Sequence, residues 1–123
     1  AMQKDLERIL KSNTKFIDLR SEKEFQKGSV PNSVNLPILS NEEHKSIGIE
    51  FKNNGQKEAI KLGEKLVSGS IKKSRVQKWC HFIKKNPGTK IFCHRGGLRS
   101  EIALKWISDN GARKRKLGIY SDI

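Results

Sequence analysis

The sequence predicts an α/β fold in three layers, a parallel sheet with helices on both faces. Short apolar runs alternate along the chain with longer segments whose apolar residues recur at helical spacing. Strands that alternate with helices pair in parallel, and a parallel sheet is buried on both faces. The 123 residues suffice for one domain with its own core. No apolar run approaches the ~18 residues that a membrane span needs, so no membrane partner is expected.

Two strands and a short helix are predicted between residues 14 and 40. The compact apolar run Lys15–Leu19 is typical of a buried strand. Ser21 and Glu24 have the spacing of a capping box, which predicts a helix from Ser21 to Lys27. Ser33–Leu36, between two prolines, is predicted as the second strand.

The middle of the chain is predicted to be helical. Residues 41–69 lack strand character, and apolar residues at helical spacing from Ala59 to Val67 indicate a helix that Gly69 stops. A second amphipathic helix is predicted from Ser70 to the turn at residues 86–88, with Trp79 and the core thiol of Cys80 on its apolar side.

The remainder is predicted as strand, glycine loop and helix. Lys90–Cys93 forms the strand, and the helix ends at Asn110-Gly111 with Trp106 facing the core. The resulting domain covers residues 14–111, with a helical insertion at about 41–69. Residues 112–123 are a basic tail or a degraded last strand. Residues 1–13 hold Ala1, interpreted as a cloning remnant before Met2, and a short helix.

The charge distribution indicates an anionic partner. Lysine and arginine number 26 against 13 acids, and residues 70–123 carry +11 of the net +13. A nucleic acid is the natural partner for such an excess, with Lys72, Lys73, Arg75 and the run 113–116 as phosphate contacts. A lysine-rich, solvated surface is an equally good interpretation of charge alone. Two cysteines and no signal peptide favour a reducing cytoplasm.

The segment Cys93–Ser100 carries the predicted chemistry. A cysteine ends a buried strand, five residues form a loop, and Arg99 opens the next helix. Backbone N–H groups in such a loop, together with a helix N-terminus, form an anion cradle. A thiol at its base ionises readily, so Cys93 is the predicted catalytic residue. The predicted substrate-binding residues are His94, Arg95, Gly96, Gly97, Leu98 and Arg99.

Residues 17–37 resemble the N-terminal signature of the rhodanese family. The matching positions, in register, are Asp18, Arg20, Glu24-Phe25, Gly28, Pro31-Asn32 and Pro37. The resemblance implies a rhodanese-like fold and a cysteine that passes sulfur as a persulfide. Asp18, Arg20 and Glu24 are interpreted as structural residues near the site, with Arg20 paired to Glu24.

The loop resembles one branch of that family most closely. Arg99 lies six positions after Cys93, and Cys93–Ser100 is similar to the Cys-Trp-Arg-Gly-Gly-Met-Arg-Ser loop of the rhodanese domain of tRNA 2-selenouridine synthases, with His94 and Leu98 as the departures. The resemblance implies a persulfide or perselenide on Cys93 and a wobble 2-thiouridine of tRNA as acceptor. Selenophosphate or a persulfide donor would be the co-substrate, without a cofactor. It also implies a P-loop domain, in cis or in trans, because no Gly-Lys pair occurs here.

Two other functions fit the same cysteine and arginine. A phosphatase or arsenate reductase would use a Cys-x5-Arg cradle, although residues 94–98 hold no acid for the leaving group. A non-catalytic module would dock an anion without turnover. No metal site is expected, because Cys80-His81 and Cys93-His94 fit no usual zinc spacing.

Overall fold

A computed structural model of the chain describes residues 14–93 and 97–110, and the backbone of Ile119–Tyr120. The described residues confirm the α/β class. Their elements, in chain order, are β1 Phe16–Asp18, α1 Glu22–Gln26, β2 Ser33–Asn35, α2 Asn41–Asn54, α3 Gln56–Leu66, α4 Gly69–Lys85, β3 Lys90–Phe92, α5 Leu98–Asp109 and β4 Ile119–Tyr120. The predicted helix near the start of the chain and the basic run 113–116 lie outside the described residues.

The strands form one parallel sheet in the order β2-β1-β3-β4. The inner strands β1 and β3 pair with Asp18 opposite Phe92, so their carboxyl ends lie side by side. One residue past the end of β1, the Leu19 N–H donates to the Phe92 carbonyl at 3.0 Å. Ligands of open parallel sheets bind at this end of the strands, and Cys93 follows β3 there.

Both faces of the inner strands are buried, which explains their near-continuous apolar sequence. On one face, Phe16 and Phe92 meet edge to face with ring centroids 6.1 Å apart, and both are almost fully buried. The alternate residues point into the main core, where they pack with residues of α4 and α5. This core includes Ile17, Leu19, Ile91, Cys93, Val76, Trp79, Ala103 and Ile107.

The segment between β2 and α4 folds as two helices that pack closely on each other. Ser40 and Glu43 form a capping box at the start of α2. Gly55, with a φ of 88°, ends α2 and begins α3, a conformation that costs other residues far more. Ile49 and Phe51 on α2 each remain 53% exposed. Among the described helices, none is long and apolar enough to cross a membrane.

The predicted end of α3 is wrong. Leu66 is the last helical residue, because Val67 leaves the helical conformation with a φ of −107° and a ψ of 83°. Gly69 does not stop α3; it is the first residue of α4, after the N-cap Ser68. The core position of Trp79 is confirmed: the ring is fully buried, and its indole N–H donates to the Leu36 carbonyl at 2.8 Å.

Candidate active site

Cys93 lies at the carboxyl end of inner strand β3 and is only 3% exposed. Its side chain belongs to the main core, together with Leu19, Ala103 and Ile107. Cys80, expected to be the packed thiol, is half-buried and packs against the same core, and its sulfur accepts a contact from the Asn110 amide at 3.5 Å. Cys93 is therefore the more buried of the two thiols, and exposure alone does not favour it as the reactive one.

The chain enters α5 at Leu98, five residues after Cys93. Gly97 is the N-cap in the left-handed conformation, with a φ of 69°, which requires no strain from a residue without Cβ. Leu98 is 37% exposed, and Arg99 lies in the first helical turn, where the helix dipole favours anions. His94, Arg95 and Gly96, predicted to bind the substrate, lie outside the described residues.

Arg99 forms a two-pronged ion pair with Glu24 of α1. Its Nη1 donates to Oε1 at 2.8 Å and its Nη2 to Oε2 at 3.2 Å, although the residues are 75 positions apart in sequence. Both side chains are about four-fifths buried. Parallel N–H···O bonds of this kind are the strongest that a guanidinium makes with a carboxylate. The arginine predicted to bind an oxyanion is therefore already held by an internal anion.

The Glu24 carboxylate is itself fixed from three directions. The backbone N–H and the hydroxyl of Ser21 both donate to Oε1 at 3.0 Å, as the predicted capping box requires. Nδ1 of His44, from α2, lies 3.6 Å from the same oxygen. Burial by itself would raise the pKa of Glu24, but the bonds from Arg99 and Ser21, with the nearby His44, lower that pKa to about 2.

Asp18 and Arg20 form a second ion pair at the end of β1. The Arg20 Nε donates to Oδ1 at 3.0 Å and Nη2 to Oδ2 at 2.8 Å. The fully buried carboxylate also accepts from the Ser29 hydroxyl at 2.8 Å. The expected pairing of Arg20 with Glu24 is wrong. Arg20 precedes α1, so the i, i+4 contact of a helix does not apply to it.

Arg20 extends from this pair toward Cys93. Its guanidinium lies 5.5 Å from the Phe92 ring centroid. The hydrogen bond that Arg20 donates to Asp18 raises the pKa of Arg20. Burial opposes this rise, and the charges of Asp18, Glu24 and Cys93 add to it. Asn35 holds the strand end in place, because its amide donates to the carbonyls of Asp18 and Arg20 at 3.1 and 2.8 Å.

Ser100 carries the one buried polar side-chain atom without a hydrogen-bond partner in the described part of the chain. The residue is fully buried in the first turn of α5, on the face that also carries Ala103 and Ile107 into the core. An unpaired buried hydroxyl is unfavourable by about 1–3 kcal/mol. Buried polar groups are normally hydrogen-bonded, so Ser100 is an exception to this rule at the start of α5.

A groove of about 580 Å³ runs from the start of α5 between α5 and the helices α2 and α3. Leu98 and Arg99 line its end nearest the loop, and Lys72, Lys105 and Trp106 line another side. Trp106 stacks on Trp79 with ring centroids 6.2 Å apart, and the Lys72 ammonium lies 4.7 Å from the Trp106 centroid. A molecule bound in the groove would therefore contact Leu98 and Arg99 at the start of α5.

One of the predicted phosphate contacts is already used within the fold. Arg75 donates to the Glu43 carboxylate at 2.6 and 3.2 Å and to the Ile38 carbonyl at 2.7 Å. It therefore joins α4 to the start of α2 rather than facing solvent. The lysines of α4 other than the half-buried Lys72 are, by contrast, exposed: Lys73, Lys78, Lys84 and Lys85.

Sequence patterns missed three residues of the site. His44 was absent from the sequence-based predictions because it lies in the helical insertion, far from the loop along the chain. Ser29 and Asn35 lie within the signature of residues 17–37, but only the fold shows that they fix Asp18 and the end of β1. A polar residue at a strand end opposite a buried aspartate was the available signal.

These features define a class of protein: a parallel α/β domain with a cysteine after an inner strand and an arginine in the first turn of the next helix. Residues 2–113 match the family model of the rhodanese-like domain. The chain belongs to the rhodanese-like domain family, as its loop and its signature predict.

Relatives and a solved structure agree with this assignment. The chain is 45% identical to "tRNA 2-selenouridine synthase" of Sulfurovum sp. (strain NBC37-1) and to that of Nitrosomonas europaea, in each case over 107 residues, or 87% of the chain. The fold resembles the crystal structure of the N-terminal domain of a protein described as ATP/GTP-binding, from Clostridium difficile 630. In that comparison the TM-score is 0.74 and the identity 28%, covering 89% of this chain and 81% of the other.

The chain spans less than a third of the curated relatives that it matches, 29% and 28% of their lengths. The resemblance to the rhodanese domain of tRNA 2-selenouridine synthases is confirmed. The reaction of those whole proteins is not thereby assigned to this chain.

Proposed function

We propose that this chain is a chalcogen-transfer domain in which Cys93 accepts a sulfur or selenium atom and passes it on. The Cys93 thiolate attacks the outer sulfur of a persulfide donor. A new S–S bond forms to Cys93, the donor's S–S bond breaks, and the donor leaves as a thiolate. Attack by an acceptor nucleophile on the outer sulfur then releases the Cys93 thiolate, so that atoms and electrons balance over the cycle.

The observation that carries the proposal is that Arg99 and Arg20 are both already paired with carboxylates of the fold. Glu24 neutralises Arg99, and Asp18 neutralises Arg20. A phosphatase or arsenate reductase needs a guanidinium that binds a doubly charged oxyanion through its two-pronged edge. Here that edge of Arg99 faces a carboxylate. A persulfide carries a single negative charge on the sulfur itself and needs no such edge, so the arrangement supports chalcogen transfer.

The relatives' name supports tRNA as the acceptor. In proteins called tRNA 2-selenouridine synthases, the corresponding domain would deliver its chalcogen to a wobble 2-thiouridine, with a persulfide or its selenium analogue as donor. The exposed lysines of α4 provide the positive surface for the RNA. A P-loop domain, in the same or another polypeptide, would supply the remaining chemistry and much of the specificity.

Sulfur transfer from a small-molecule persulfide to a thiol acceptor tests this function. Cys93→Ser should abolish the transfer catalysed by the chain, whereas Cys80→Ser should leave the rate unchanged. Equal loss in both variants would contradict the assignment of Cys93. A wild-type chain that binds anions at the loop but transfers no sulfur would favour the non-catalytic module.

A further inference from the structure

Glu24 closes the anion-binding edge of Arg99. We propose that Glu24 is a specificity-determining residue that keeps doubly charged inorganic oxyanions, such as sulfate and phosphate, from binding beside Cys93. The proposal rests on the proposed function in that it takes the Cys93 loop as the reactive site. It assigns to Glu24 a role that goes beyond support of the fold.

The geometry makes Glu24 a direct competitor of any such anion. A tetrahedral anion binds a guanidinium through two parallel N–H groups. Nη1 and Nη2 of Arg99 already donate to the two Glu24 oxygens, at 2.8 and 3.2 Å. An oxyanion must either displace this carboxylate or use the remaining N–H groups of a guanidinium whose charge is compensated.

Displacing Glu24 is unfavourable because the carboxylate is held independently of Arg99. Ser21 donates to it twice, at 3.0 Å each, and Glu24 is only 20% exposed. If Arg99 turned to another anion, Glu24 would remain in place, partly buried, next to a second negative charge. The two negative charges would repel each other, and this repulsion is stronger at a partly buried site than in water.

The neighbouring groups do not offset this repulsion. Arg20 is paired with Asp18 at 2.8 Å, so it brings no uncompensated charge. His44 lies 3.6 Å from Glu24 and is 41% exposed, so that its contribution is screened by solvent. The described side chains around the site therefore accept a neutral or singly charged group more readily than a dianion. A donor that is itself an oxyanion has to compete with Glu24.

The variant Glu24→Gln tests this role. Glutamine also serves at the third position of a capping box, so the bond to Ser21 and one acceptor for Arg99 are kept while the charge is removed. Sulfate binding to the purified chain, measured by calorimetric titration, should tighten about tenfold, as expected when one nearby like charge is lost in a partly screened site. Binding of sulfate should also slow alkylation of Cys93 in this variant.

The chain offers a matched control in Glu43→Gln. Glu43 likewise occupies the third position of a capping box, with Ser40, and makes a two-pronged ion pair with Arg75. This control removes the same charge and the same type of contact at another place in the fold. Sulfate affinity should stay at the wild-type value.

Three results would overturn the proposal: unchanged sulfate affinity in Glu24→Gln, an equal gain in Glu43→Gln, or a gain that persists when Arg99→Lys is added to Glu24→Gln. If Glu24→Gln does not fold, Glu24→Asp serves instead, because the shorter side chain loosens the contact with Arg99; the expected gain is smaller but must be present. A failure of the proposed function would be distinguishable from a failure of this proposal, because sulfur transfer is measured in a separate assay and the sulfate titrations do not depend on it.

Discussion

Replacing Asp18 with asparagine should destabilise the fold strongly, although the two side chains have nearly the same shape. The buried carboxylate accepts the backbone N–H of Arg20 at 2.9 Å, its Nε at 3.0 Å and its Nη2 at 2.8 Å, and the Ser29 hydroxyl at 2.8 Å. An asparagine offers one acceptor oxygen, and its amide group can only donate. The asparagine can keep the two bonds now accepted by Oδ1, from the Arg20 backbone N–H and Nε, or the two accepted by Oδ2, from Arg20 Nη2 and the Ser29 hydroxyl, but not both sets.

The magnitude follows from the loss of one partner of a largely buried ion pair. Such losses cost about 3–5 kcal/mol. The lower end applies here because the Arg20 side chain is 18% exposed and can be hydrated in part. We expect the free energy of unfolding to fall by about 3 kcal/mol, a large share of the roughly 5–15 kcal/mol typical of a domain.

Urea denaturation followed by tryptophan fluorescence measures this change, since Trp79 is buried in the main core. With a urea dependence of about 1–3 kcal/mol per molar, the midpoint should drop by roughly 1–3 M. Asp109→Asn, at an exposed position on the last turn of α5, is the control and should leave the midpoint nearly unchanged. Equal midpoints for Asp18→Asn and the control would refute the role given to the Asp18–Arg20 pair.

Three further predictions concern Glu24, Ser100 and the basic face of α4. Because the pKa of Glu24 is about 2 in the fold against 4.5 for an unperturbed glutamate, its stabilisation is complete above pH ~5 and is lost as the pH falls toward 2. The difference in unfolding free energy between the wild type and Glu24→Gln should be about 3 kcal/mol at neutral pH and should close over that interval. A difference that does not change with pH would contradict this. Ser100→Ala should leave the free energy of unfolding unchanged or raise it by about 1 kcal/mol, since the hydroxyl is buried with no hydrogen-bond partner among the described residues. A loss of more than ~1 kcal/mol in urea titrations would show that the hydroxyl is paired in solution. Lys73→Glu combined with Lys84→Glu, on one face of α4, should weaken tRNA binding at low salt and reduce its salt dependence. The same exchange at Lys45 and Lys52 on α2 should have neither effect. Equal effects of the two double variants in filter-binding titrations would contradict a special role for α4.

Local patterns were enough to predict the elements that build the site. The apolar runs around β1 and β3 were predicted as strands because parallel strands are buried on both faces. The capping box of Ser21 and Glu24 marked the start of α1 correctly. The start of α5 followed from two glycines and an arginine after a strand. Each of these signals lies within a few residues of the element that it predicts.

The ion pairs could not be predicted in the same way, because they depend on which segments the sheet brings together. Arg20 and Glu24 are four residues apart, a spacing that favours contact only inside a helix. The helix begins after Arg20, and the parallel pairing of β1 with β3 places Arg99 next to Glu24 instead. The exact end of α3 was missed for a different reason: glycine is permitted both at helix ends and at helix starts.

The most direct test of the central proposal is the mass of the Cys93 peptide after treatment of the chain with a small-molecule persulfide. We expect the peptide that contains Cys93 to gain the mass of one sulfur atom, to lose it again when a thiol acceptor is added, and to remain unmodified in Cys93→Ser. The peptide that contains Cys80 should remain unmodified throughout. Sulfur carried by Cys80, or a Cys93 peptide that never gains sulfur, would contradict the account.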